Sequence, residues 1–259
     1  MKKIMVKQQG FTLIELITVI IILGILAVGM SQFLGFGSRI FSETSARDEL
    51  ISSARFSIER LNRELRHALP NSLVINDDGN CLSFTPIKVS TVYTDIPVSP
   101  EAKSKIVQVI PFAHNDGRFS ADLKMIVYPL KASDLNVNSG KIYEIDTLTP
   151  NSDIPATPWQ ITIASPVDVH FSADSPTQRI YFIDSDTQFC IEGSSKPYQL
   201  YRYQNNTDRS LMADNIAAYN LSVNEASQTR NATAQVQLTF ELNLESVTFN
   251  NEVQIQNVP

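Results

Sequence analysis

The sequence is short of the groups that usually carry catalysis. It has three histidines, His67, His114 and His170, set far apart and without metal-ligand spacing. It lacks a nucleophile elbow, a phosphate-binding loop and a dinucleotide fingerprint. We therefore expect no enzyme, no catalytic residues, no bound metal and no cofactor. Loop carboxylates stand at Asp184-Ser185-Asp186 and Asp77-Asp78-Gly79-Asn80, but neither stretch follows the EF-hand spacing, and both read as surface turns rather than calcium sites. Positive charge is scarce. The formal net charge is −6, and removing Lys2, Lys3 and Lys7 would take it to −9, which argues against nucleic acid as a partner. Internal repeats and low-complexity tracts are missing. There are only two cysteines, Cys81 and Cys190, and one tryptophan.

Charge is scarcest near the N-terminus. From Lys7 to Arg39 there is no basic residue and a single acid, Glu15. Around that acid lies an apolar run of roughly twenty residues, long enough to cross a bilayer as a helix. A carboxylate in hydrocarbon costs a few kcal/mol, so Glu15 asks for a function; the alternative is that it stays solvated at the membrane edge. Lysines before the run and none after it place the N-terminus in the cytoplasm and the remainder across the membrane. In that outer compartment an even number of cysteines is compatible with one Cys81–Cys190 disulfide, the alternative being two buried thiols.

Beyond the run the pattern becomes amphipathic. Ile51, Ala54, Ile58, Leu61 and Leu65 recur at three- and four-residue steps and share one helix face. Glu43 with Arg47, and Glu59 with Arg63, stand at i,i+4. Arg55, Arg60, Arg63 and Arg66 form a basic, solvated face. Pro70 is the expected stop, after a last turn holding Arg66 and His67. Gly24, Gly29, Gly35 and Gly37 would loosen the middle of this helix or let it pack closely in lipid. The helix over residues 11–69 would be roughly 90 Å long. After Pro70, twelve short segments read as strands, many alternating apolar and polar residues. The proline-rich stretch 85–111 reads as an irregular insertion around one of them, and residues 210–218 as a possible short helix. The fold class is α+β: a long N-terminal helix packed on an antiparallel β-sheet head.

The segment Lys2-Lys3 through Gln9-Gly10-Phe11-Thr12-Leu13-Ile14-Glu15-Leu16 resembles the N-terminus of type IV prepilins and type II secretion pseudopilins. The resemblance implies a pilin-like fold and four regions: a leader, 1–10; a transmembrane helix, 11–34; its amphipathic continuation, 35–69; and a β-rich head, 70–259. It implies that prepilin peptidase cuts between Gly10 and Phe11 and methylates the Phe11 amine. That amine is then a cation, and Glu15, one turn along, pairs with it in a neighbouring subunit during assembly. Implied partners are the peptidase, other major and minor pilins, the inner-membrane assembly platform and the membrane itself. Implied locations are the inner membrane, single-pass with a periplasmic head, then the pilus and cell surface. Further fragments, 63–72, 81–87, 189–191, 201–203 and 252–259, look like minor pilin-like proteins of the mannose-sensitive haemagglutinin pilus, and the J-type pseudopilins are the nearest rival. A different class of function is a membrane-tethered binding domain or adhesin, in which Tyr198, Tyr201 and Tyr203 would stack on sugars; ordinary packing is the alternative role of those rings.

Overall fold

The computed structural model describes residues 12–113, 117, 119–120, 122–150, 157–205, 207–226, 230–243 and 245–255. Its single α-helix, α1, spans Leu13–Leu65. The strands are β1 (Val74–Ile75), β2 (Cys81–Phe84), β3 (Ile87–Asp95), β4 (Ile106–Val109), β5 (Lys124–Val127), β6 (Ile142–Thr149) and β7 (Trp159–Ile163). They are followed by β8 (Arg179–Ile183), β9 (Thr187–Glu192), β10 (Tyr198–Gln204), β11 (Asp208–Asn224), β12 (Ala232–Leu242) and β13 (Glu245–Ile255). By internal contacts the chain divides between Glu49 and Leu50 into an N-terminal unit and a C-terminal unit.

The C-terminal unit is an antiparallel sheet with helix on one face and a second β structure inserted into it. The sheet order is β1-β2-β9-β10-β11-β12-β13. Its covered face is legible in β12, where Ala232, Ala234, Val236, Leu238 and Phe240 are buried and Gln235 and Gln237 are exposed, as the period of two requires. Onto that face α1 lays Leu50, Ala54, Ser57, Leu61 and Leu65, all buried. This stripe shares three residues with the one expected; Ile51 and Ile58 sit half-buried at its flank. Ala54 and Ser57 are fully buried and small, which lets the helix backbone approach the strands. The Ser57 Oγ lies 2.6 Å from the Met212 carbonyl of β11 and 2.9 Å from the Ser53 carbonyl. It is thus a satisfied polar group inside an apolar seam.

Helix α1 ends at Leu65, four residues before the expected Leu69. His67 and Ala68 donate to Glu64 and Leu65, an i→i−3 tightening. The chain then leaves the helix because a better partner is at hand: Leu69 N donates to Thr85 O, and Ile87 N to His67 O, each at 2.8 Å. Upstream, α1 is continuous through Gly24, Gly29, Gly35 and Gly37.

Two further expectations are corrected. Within the stretch 85–111, the nine-residue β3 precedes β4; Pro86 and Pro97 flank β3 rather than interrupt it. Residues 210–218 are part of β11, not a helix. Strands β3, β4, β7, β6, β5 and β8 close into a six-stranded barrel. Its interior holds Val107, Val109, Met125, Val127, Ile161, Ile163, Ile180 and Phe182. Phe112, Phe119, Trp159 and Phe182 join in an aromatic cluster with centroids 5.2–5.4 Å apart. The head is therefore a sheet plus a barrel.

Candidate assembly helix and the clamped head

Every large apolar side chain of α1 from Leu13 to Phe41 is exposed, with Leu13 at 78%, Phe33 at 75% and Phe41 at 76%. By length and composition this is the one helix, among the described residues, apolar enough to cross a membrane, and its apolar stretch holds no buried residue. Side chains of this kind are stable only out of water, in lipid or against other rods. The four helical glycines meet nothing within 4 Å, so no intramolecular packing demands them.

Glu15 lies in the first turn of α1 and is exposed. Its amide donates to Thr12 O, and its carbonyl accepts from Thr18 Oγ1. Its carboxylate has no ion-pair partner among the described residues. Gly10 and Phe11, with the expected leader, lie outside those residues, as does His114. His67 is exposed. His170 is half-buried and offers its carbonyl to the Tyr143 hydroxyl at 2.8 Å. No cluster of three metal-ligating side chains occurs among the described residues.

Cys81 and Cys190 are joined by a disulfide. They face each other across the β2–β9 ladder, with Cα atoms 4.1 Å apart. That ladder runs from the Cys81–Cys190 rung to Phe84–Thr187, and the next pairing is Ile87–Ile183 of β3 and β8. One strand pair thus leaves the sheet and becomes part of the barrel. The bridge closes the root of a 109-residue excursion.

The neck between sheet and barrel is held by the loop acids. Asp184 pairs with Lys88 at 3.1 Å and accepts from the Ser185 amide. Burial pushes its carboxyl up, but the Ser185 amide and Lys88 outweigh this and hold it below the usual range. Asp186 accepts from Thr85 Oγ1 at 2.6 Å. The residues weighed as a calcium loop therefore brace the neck. Asp77 to Asn80 form a turn in which Asn76 Oδ1 accepts from the Asn80 and Cys81 amides, with Gly79 at φ +70.

The connection between β5 and β6 holds a buried ion pair that sequence reading missed. Asp134, 4% exposed, accepts from Lys141 Nζ at 2.7 Å and from the Leu130 and Lys131 amides. Burial raises its pKa, and these donors together reverse the shift and lower it. Lys141 also donates to Tyr128 O at 3.0 Å. The two lie seven residues apart in a loop with no periodicity, so no local signal marks them.

The tyrosines have ordinary partners. Tyr198 packs edge-on against Tyr219. The Arg209 guanidinium lies 3.6 Å over the Tyr201 ring and 2.7 Å from Glu192. The Tyr203 hydroxyl donates to Glu192, a bond that raises the pKa of the phenol. On α1 the ion pairs differ from those expected: Arg60 and Arg202 both bind Glu64, at 2.9 and 2.8 Å, and neither Glu43–Arg47 nor Glu59–Arg63 forms. No curated protein and no solved structure matches the chain. Residues 5–31 match the model of the prokaryotic N-terminal methylation motif, which together with the bare apolar helix and the antiparallel head supports a type IV prepilin-like protein.

Proposed function

We propose that the chain is a minor pilin-like subunit for assembly of a type IV pilus. The observation that carries the reading is the methylation motif over residues 5–31 at the head of a helix whose apolar side chains are uncovered. Prepilin peptidase cuts between Gly10 and Phe11 and methylates Phe11. The subunit waits in the inner membrane with the basic leader cytoplasmic and the head periplasmic, then leaves through the assembly platform to join other major and minor pilins at the cell surface. Glu15 meets the Phe11 amine of a neighbour. In lipid an unpaired charge is penalised heavily, so this pairing fixes the axial register of the rods. The size of the head suits a subunit that primes or caps the fibre. Within the family we favour a mannose-sensitive haemagglutinin pilus and a role like that of MshO, on the resemblance of the fragments quoted above.

Intact-mass measurement from cells with and without the peptidase tests the reading. The mature protein is expected to lack residues 1–10, to carry one methyl group and to hold one disulfide. A mature chain beginning at Met1 would overturn it. Recovery from sheared fibres separates a subunit from a membrane-tethered binding domain, and loss of protein secretion instead of pili would mark a J-type pseudopilin.

A further inference from the structure

The covered face of the sheet turns polar near the end of α1. On β10 the alternation carries that face through Leu200, Arg202 and Gln204, and on β9 through Phe189 and Thr187. Leu200 and Phe189 belong to the apolar seam under the helix. Arg202 binds Glu64, in the last turn of α1, at 2.8 Å. Thr187, Arg202 and Gln204 then form one side of a 420 Å³ cavity, within the size range of small-ligand sites. Arg63 and His67 from the end of the helix, and Pro86, Ile87 and Lys88 at the start of β3, form the others.

Two observations mark this cavity as a place for a ligand. Thr187 is 2% exposed, and among the described residues its hydroxyl has no hydrogen-bond partner. A buried hydroxyl is normally paired, so this one is left for something inside the cavity. Cations are also in excess, although the chain as a whole is acidic. Glu64 is shared by Arg60 and Arg202, and Asp184 is taken by Lys88. Among the described residues no carboxylate answers Arg63. We propose that the cavity binds a small carboxylate-bearing sugar of the uronic acid type. The planar guanidinium of Arg63 takes the carboxylate as a bidentate pair. The Thr187 hydroxyl and the Gln204 amide nitrogen meet the ring hydroxyls, which donate and accept alike; the Gln204 oxygen is already engaged by Arg202 at 3.3 Å. Pro86 and Ile87, both half-buried, lie against the C–H face of the ring. The site does not depend on the chain entering a fibre.

Equilibrium dialysis of the full chain in a nonionic detergent, with labelled glucuronate as the probe, tests the site. Saturable retention is expected, with glucose and inorganic phosphate far weaker competitors than unlabelled glucuronate. Arg63→Gln, at an exposed position, should weaken retention roughly tenfold. Thr187→Val keeps the shape and removes the hydroxyl, and should weaken it roughly threefold. Because that hydroxyl has no partner in the chain, its loss should leave the melting curve unchanged, which together with a native disulfide certifies the fold. Arg55→Gln removes an exposed arginine of the same helix outside the cavity and should change nothing. Absence of saturable retention overturns the proposal, and so does full retention by Arg63→Gln or Thr187→Val. An equal loss in Arg55→Gln would mean diffuse attraction to surface charge. Displacement by phosphate as effective as by glucuronate would mean a plain oxyanion site. Either result overturns the assignment to an acid sugar.

Discussion

Removing the disulfide should destabilise the head by an amount that reveals how the barrel unfolds. Cys81 and Cys190 close a loop of 109 residues. If sheet and barrel unfold together, that loop is flexible in the denatured chain, and the bridge stabilises by about 4.7 kcal/mol in the chain-entropy account. If the barrel outlasts the sheet, its own ladder keeps Ile87 beside Ile183. The flexible part of the loop is then the two short necks, about fifteen residues, and the bridge contributes about 3 kcal/mol to the sheet and nothing to the barrel. Two signals separate these cases. Trp159, the single tryptophan, lies in barrel strand β7, so its fluorescence follows the barrel, whereas far-UV circular dichroism follows the whole head. Urea titration of the full chain in detergent, for wild type and for Cys81→Ala with Cys190→Ala, gives both. Coincident transitions with the larger loss indicate one unit. A fluorescence transition that stays put while the dichroism weakens indicates two. A loss below about 1 kcal/mol in both signals would refute the loop-closure reasoning.

Three other outcomes follow from the geometry. Ser57→Ala leaves the Met212 carbonyl without its buried donor and should cost about 1–2 kcal/mol of head stability by the same titration. Asp134→Asn leaves Lys141 charged and uncompensated and should cost roughly 3 kcal/mol near pH 7. Because the Asp134 pKa is lowered in the folded chain, its contribution is fully present above the ordinary carboxylate value and disappears as pH falls through the lowered one; wild type and Asp134→Asn should therefore converge in stability in strong acid, and a gap that persists there would contradict the assignment. Glu15→Ala should be cleaved and methylated normally but be missing from sheared fibres, and normal incorporation would dispose of its assembly role.

Much of the fold was legible because its signals are local. The uncharged run around Glu15, the three- and four-residue steps from Ala54 to Leu65 and the alternation of β12 can each be read within a dozen residues. The misses have specific causes. In β11, Met212, Ala213, Ile216 and Ala217 are buried, a spacing that imitates a helix. It arises because Asn215 takes φ +56 and the register slips between Ile216 and Ala218, so the alternation changes phase. Strand β3 was hidden by its neighbouring prolines, although Val89, Thr91, Val92 and Tyr93 are good strand formers. Closure of the barrel depends on pairings such as Ile87 with Ile183, set by partners almost a hundred positions away. The Asp134–Lys141 pair was invisible for another reason: burial, not spacing, makes it matter.

The neck has a consequence for how such a subunit diversifies. The strand leading into the barrel and the one leading out are adjacent and bolted together by sulfur, but the barrel also touches the chain where it leaves the helix. Leu69 is seated among Ile126, Ile142, Tyr181 and Ile183, and the Asn71 amide donates to the Pro129 carbonyl. A short hairpin in place of residues 87–183 would bare Leu69 and strip His67 and Asn71 of their partners, so any replacement cargo has to bring its own apolar lid for the end of the helix.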